Sequence, residues 1–265
     1  MKLPSWLAGK TDEQAAIDEY NLGLAAKYRG DWRASLEHNQ RAASLNGGDQ
    51  ATWWNLGIAA TALRDWDEAR LAWRAYGITV NDGPGEVLMR QVTGCVRLDP
   101  TGAAEVVWGT RIDPARILVA NVPLPESGRR CGDIVLHDGA PAGHRNKGNQ
   151  EYAVFDELEV WRVSDLSTFE GSLITPNEEA FQRLVARFQE EQFGIEDWGT
   201  LQILCEACSR GRPGEHTCGA RPGDWKKFGF AAKSESALRQ ILGEWVEAEE
   251  GASVENLRLV LGGVN

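Results

Sequence analysis

The sequence predicts an α+β protein of two domains, and three observations carry that expectation. A 34-residue repeat with helical patterning fills the N-terminal quarter. Six short apolar runs separated by turns follow a change of composition at Asn81-Asp82-Gly83-Pro84-Gly85. The last third combines helical stretches with a cluster of cysteines and a histidine. A chain of 265 residues is long enough to bury more than one core. The expected division is a helical repeat domain over 1–84 and an α+β domain over 85–265, β-rich over 92–165 and helical over 175–265.

The repeat is read by laying the chain against itself. "YNLGLAAKYRGDWRASLEHNQRAASLNGGD" from Tyr20 matches "WNLGIAATALRDWDEARLAWRAYGI" from Trp54 at a shift of 34 residues. Asn21-Leu22-Gly23 falls on Asn55-Leu56-Gly57, and Asp31-Trp32 on Asp65-Trp66. Each unit reads as two amphipathic helices. Leu22, Ala25 and Ala26 form one stripe, Gly30 makes the turn, and Ala34, Leu36 and Ala42 to Leu45 resume the stripe. Gly23 and Gly57 suit a place where two helix backbones come close, and Gly47-Gly48-Asp49 ends the first unit.

These residues resemble the tetratricopeptide repeat family. Leu22-Gly23 and Leu56-Gly57 match its Leu-Gly pair, and Trp53 its early aromatic. Ser35 and Ala69 fill the small position of the second helix, and Trp73 the aromatic one. Asn39 stands where the first unit would carry that aromatic, and Gly47 replaces the usual terminal proline. The resemblance covers residues 16–80. It implies paired helices with a concave surface for a peptide or partner protein. Asn21 and Asn55 are the expected partner contacts, because an amide both donates and accepts. Two other readings stay open: helices that only pack on the next domain, and self-association through an exposed apolar face.

The middle region predicts six strands: Cys95 to Leu98, Glu105 to Trp108, Ile117 to Val122, Asp133 to Leu136, Tyr152 to Phe155, and Leu158 to Val163. Turns are expected at Asp99 to Gly102, Pro125 to Gly128 and His137 to Gly148. Without helical crossovers, the arrangement is a mostly antiparallel sheet or a small barrel. Within it, the glycine-containing loop from His137 to Lys147 gathers His137, Asp138, His144 and Arg145. A histidine–aspartate pair with a second histidine suits general-base chemistry or anion binding, the alternative being a basic surface hairpin. Asp156, Glu157 and Glu159 read as a solvated face. Cys95 and Cys131 read as core cysteines.

In the last third, Thr175-Pro176-Asn177-Glu178 reads as a helix start, with threonine as cap and Glu178 three residues on. Phe181, Leu184, Val185 and Phe188 make its buried stripe. Trp198, Leu201 and Leu204 suggest a short helix that delivers Cys205. Cys205 and Cys208, then His216 and Cys218, supply three sulfurs and an imidazole, a set suited to a structural zinc knuckle. A redox pair would place Cys-x2-Cys at the start of a helix, and here the pair follows a helical stretch. Ser234 opens a last helix with Ala237, Leu238, Ile241, Leu242, Trp245 and Val246 on one face. Val254 to Leu261 reads as a closing strand or a short helix.

A net charge of −11 excludes broad steering toward nucleic acid or anionic membrane. The N-terminal "MKLPSWLAGKTDEQ" holds no apolar run of signal-peptide length, and no stretch reaches the length of a membrane span, so a cytoplasmic location is expected. The leading expectation is an intracellular protein-interaction module with repeats and a structural zinc site. The alternative is an enzyme using the His137 to Lys147 loop.

Overall fold

The computed structural model describes residues 11–199 and 227–263. The chain divides into two compact units, Met1–Gln91 with Ile112–Arg116, and Val92–Arg111 with Ile117–Asn265. Among the described residues there are six α-helices, and none is long and apolar enough to cross a membrane.

The first unit contains two helical hairpins, α1 (Asp12–Tyr28) with α2 (Trp32–Leu45), and α3 (Gln50–Ala62) with α4 (Trp66–Tyr76). The repeat is visible in the caps. Asp31 accepts from the Ala34 backbone N at 3.1 Å and Asp65 from Glu68 N at 3.3 Å, so each Asp-Trp pair is an N-cap followed by the first helical residue. The left-handed residue of the turn between paired helices also recurs, Gly30 in the first hairpin and Arg64 in the second.

Close backbone approach explains the paired glycines. A Cβ at Gly57 would lie 2.6 Å from the Trp73 ring, and one at Gly23 would lie 2.6 Å from Asn39 Nδ2. Asn39 therefore occupies the place of the missing aromatic, with Nδ2 donating to the Ser35 carbonyl at 2.8 Å. The buried face of α1 is Ala16, Gly23, Ala26 and Lys27, while Leu22 is 50% exposed and Ala25 is exposed. The expected stripe through Leu22 and Ala25 is thus rotated, because Gly23 must face α2 and its neighbours in sequence turn away.

The segment at 112–116 belongs to this unit through Arg116, which is fully buried. It pairs with Asp113 at 2.5 Å and Glu86 at 2.8 Å, donates to the Val87 carbonyl, and lies over the Trp66 ring at 4.9 Å. Apart from Asp113, three residues away, these partners are distant in sequence and carry no local pattern.

The second unit holds a closed barrel of β1 (Val92–Leu98), β2 (Glu105–Arg111), β3 (Arg116–Val119, in this unit from Ile117), β4 (Ile134–Lys147) and β5 (Gln150–Arg162). Five strands cannot alternate direction all the way round a ring. One pair must be parallel, and it is β1 with β5, Val96 beside Phe155. Val96, Leu98, Val107, Ile117, Val119 and Val135 make the core.

The rest of this unit is a second sheet of β6 (Ser167–Ile174), β7 (Gly194–Asp197), β8 (Lys227–Ala232) and β9 (Ser253–Leu261), in the order β7-β8-β6-β9 and antiparallel throughout. Helices α5 (Glu178–Glu190) and α6 (Glu235–Ala248) pack against it. Phe169, Leu173, Phe228 and Phe230 meet Leu184, Phe188, Leu238, Leu242 and Trp245 in one core. Among the described residues, the region expected to be helical therefore also supplies three strands, β7, β8 and β9, and Val254 to Leu261 lies in the edge strand β9. The α5 cap also shifts. Asn177, with extended backbone, accepts from Ala180 N at 2.8 Å, so Thr175 and Pro176 precede the cap and Glu178 is the first helical residue.

Gly57→Ala is expected to destabilise the protein by about 1–3 kcal/mol, because Trp73 must yield. Gly243→Ala, in the middle of α6 with nothing within 4 Å, is expected to stabilise it by about 0.5–1 kcal/mol. Denaturant titration of both variants checks this, and a neutral Gly57→Ala would contradict the close packing.

Candidate functional site

The first unit carries a groove of about 670 Å³ lined by one face of α1 and the start of α3. Glu13, Ile17, Tyr20 and Asn21 come from α1. Asn46, Asp49, Ala51 and Thr52 come from the turn and the first residues of α3. Residues four apart on a helix share a face, so Glu13, Ile17 and Asn21 stand in a row. Ile17 is 47% exposed. Asp49 is held by its capping role, accepting from Ala51 N at 3.3 Å and Thr52 N at 3.1 Å.

Only one of the two expected amides faces this groove. Asn21 is exposed in it. Asn55 is buried and accepts from Lys27 Nζ at 3.0 Å, a bond that ties α3 to α1. Equivalent positions diverge because α1 lies beside α3, whereas no described helix covers the corresponding side of α1.

The four residues expected in a loop lie instead on β4, which runs unbroken from Ile134 to Lys147 with bulges between Leu136 and Gly143. His137 is enclosed and stacks on Phe155 at 5.0 Å. Its Nδ1 lies 2.7 Å from the Asp138 carbonyl, which can only accept, so the proton sits on Nδ1 and Nε2 keeps a lone pair. Burial, with Arg111 adding to it, lowers its pKa to about 3. The Asp138 carboxylate accepts from Gly139 N at 2.7 Å. His144 is exposed and pairs loosely with Glu151 at 3.9 Å. Arg145 donates to the Val106 carbonyl at 2.6 Å and lies over Trp108, as does Lys147. The strand thus spreads these side chains along its length rather than gathering them.

The acidic run after Phe155 is not a solvated face either. Asp156 binds the buried Arg97 at 2.6 Å, and Glu157 binds Arg129 at 2.6 Å and the Asp99 backbone N at 3.0 Å. Cys95 and Cys131 are buried as expected, and burial raises their thiols to about 11 and about 12. The cluster Cys205, Cys208, His216 and Cys218 lies outside the described residues. Among the described residues, no three His, Cys, Asp or Glu side chains group as metal ligands.

Sequence reasoning missed one electrostatic feature, a pair of half-buried carboxylates on either side of the segment Asn121 to Leu124. Glu105 of β2 accepts from Leu124 N at 2.8 Å, and Glu196 of β7 accepts from Asn121 Nδ2 at 2.7 Å. Trp108 N donates to Asn121 Oδ1 at 2.6 Å, and Trp198 Nε1 to the Val122 carbonyl at 2.9 Å. Burial raises both carboxyls. It carries Glu105 to about 7, opposed first by the hydrogen bond from Leu124 N and then by Arg145, with Glu196 and Glu126 adding to the rise.

No family model matches the chain, and no curated protein matches it. Among solved structures, a hypothetical protein from Neisseria gonorrhoeae is similar over 67% of this chain and 99% of its own, at 17% identity and a TM-score of 0.28. At that score the likeness carries no conclusion.

Glu105 gives a pH dependence of defined sign. Its folded pKa of about 7 lies above the ordinary 4.5, so the folded chain holds a proton that the unfolded chain has lost between those values. Its contribution to stability is therefore full below pH ~4.5, falls as pH rises through ~7, and is gone above. The stability difference between wild type and Glu105→Gln should move in wild type's disfavour across that window. A difference independent of pH from 4.5 to 8, measured by denaturant titration, would contradict the raised carboxyl.

Proposed function

We propose that the protein is an interaction module of tetratricopeptide-repeat type, which holds an extended segment of a partner protein in the groove between α1 and α3. The observation that supports this reading most is the composition of that groove. An exposed apolar side chain, Ile17, stands next to Asn21, an amide with no hydrogen bond to another described residue. Extended polypeptide offers the matching pattern, side chains at regular intervals and main-chain donors and acceptors between them. The rival reading, an enzyme built on residues 137–147, draws no support from a strand that encloses His137 and carries His144 apart from it.

We place this module in the cytoplasm and give its C-terminal part a structural zinc on Cys205, Cys208, His216 and Cys218, on the strength of their spacing and donor types. Elemental mass spectrometry should find about one zinc per chain, lost in Cys205→Ser together with thermal stability. Reduced protein free of zinc, purified without chelator, would remove that part of the proposal.

Panning a displayed library of unstructured peptides against the full chain tests the docking reading. Enriched peptides should lose about tenfold in affinity on Asn21→Ala or Ile17→Glu, with thermal stability unchanged. Asn55→Ala should instead lower stability by about 1–3 kcal/mol, since it takes a hydrogen-bond acceptor from a buried lysine. Enriched peptides indifferent to both groove substitutions would overturn the docking reading.

A further inference from the structure

Resting on that docking reading, we infer that the partner segment is basic, with a lysine or arginine separated by one residue from an apolar side chain. The residues that line the groove include two carboxylates, Glu13 and Asp49, and no lysine, arginine or histidine. Glu13 makes no ion pair with another described residue.

The two helix N-termini that border the groove would by themselves draw an anion. Both ends already carry a side-chain cap that engages part of their donor set. Thr11 Oγ1 accepts from Gln14 N at 3.2 Å, and the two Asp49 oxygens accept from Ala51 N, Thr52 N and the Thr52 hydroxyl. Each helix end contributes about half a positive charge, against a full negative charge on each carboxylate, so the groove remains negative. A cationic side chain is the complement.

Spacing carries the rest. Glu13, Ile17 and Asn21 are four residues apart in turn, which on a helix is about 6 Å per step. An extended chain advances about 6.6 Å every two residues, and those two side chains share a face. A cation opposite Glu13 therefore places the side chain two positions along opposite Ile17, and the main chain two further along beside the Asn21 amide. One bound segment can satisfy all three without bending.

Three fluorescein-labelled peptides test this on the full chain: repeats of Lys-Ser-Leu-Ser, of Glu-Ser-Leu-Ser and of Ser-Ser-Leu-Ser. The lysine peptide should bind about tenfold tighter than the serine peptide at low salt, and the glutamate peptide most weakly. Glu13→Lys should cost the lysine peptide about fivefold or more. Glu37→Lys, an equal change of charge on the exposed side of α2, should cost less than about twofold. A lysine peptide that responds equally to both variants reports general attraction to an acidic protein, and the inference falls. Tightest binding of the glutamate peptide, lost on Asn21→Ala, overturns the inference but leaves the docking reading standing. If none of the three binds and panning enriches nothing, both fall. A dimer by sedimentation that Ile17→Glu disperses would put a second copy of the chain in the groove, and would overturn the basic partner.

Discussion

The absence of a side chain at Gly57 is the constraint on which the helical unit depends. With a Cβ there, the Trp73 ring could not lie where it does, and α3 and α4 would stand apart. The same geometry recurs 34 residues earlier with Gly23 and Asn39, at the same 2.6 Å. Two hairpins of equal internal spacing stack in register, and the Lys27–Asn55 bond fixes α1 against α3. The groove is a consequence of that register. It exists because Glu13, Ile17 and Asn21 are what remains of the α1 surface once its small residues have turned inward.

The second unit solves a different problem. A five-stranded ring must include one parallel pair, and a second sheet must be joined to it. The join runs through Asn121 to Leu124, held by Glu105 and Trp108 from the barrel and by Glu196 and Trp198 from the sheet side. A small apolar cluster of Val122, Cys131, Leu166, Trp198 and Ala231 lies beside it. Polar groups enclosed there are each bonded, and the cost appears as raised carboxyl groups rather than as broken bonds.

What could be read from the sequence follows from which interactions repeat. The hairpins were legible because their caps, turns and close approaches recur at a fixed interval. Most barrel strands were legible from short apolar runs. The distal half of β4 was not, since Gly139, Pro141, Gly143 and its polar neighbours have the composition of a turn while their backbone pairs with β5. The strands β6 and β8 were overlooked although Phe169-x-Gly171-x-Leu173 and Phe228-x-Phe230 recur at the period of a strand; both are buried along most of their length. In the candidate site, Asn21 was legible and the burial of Asn55 was not, because burial depends on which helix lies alongside. Ion pairs such as Arg97–Asp156 and Arg116–Glu86 join residues far apart in sequence, and no local pattern announces them.

The central claim is that the surface between α1 and α3 is where the chain meets its partner. Hydrogen exchange on the full chain, with and without a saturating peptide enriched by panning, tests it most directly. The expected result is slowed exchange in the peptides that span residues 13–21 and 46–52, with the barrel and the second sheet unchanged. Protection that falls on the barrel strands or on β6 to β9, with α1 unaffected, would contradict it.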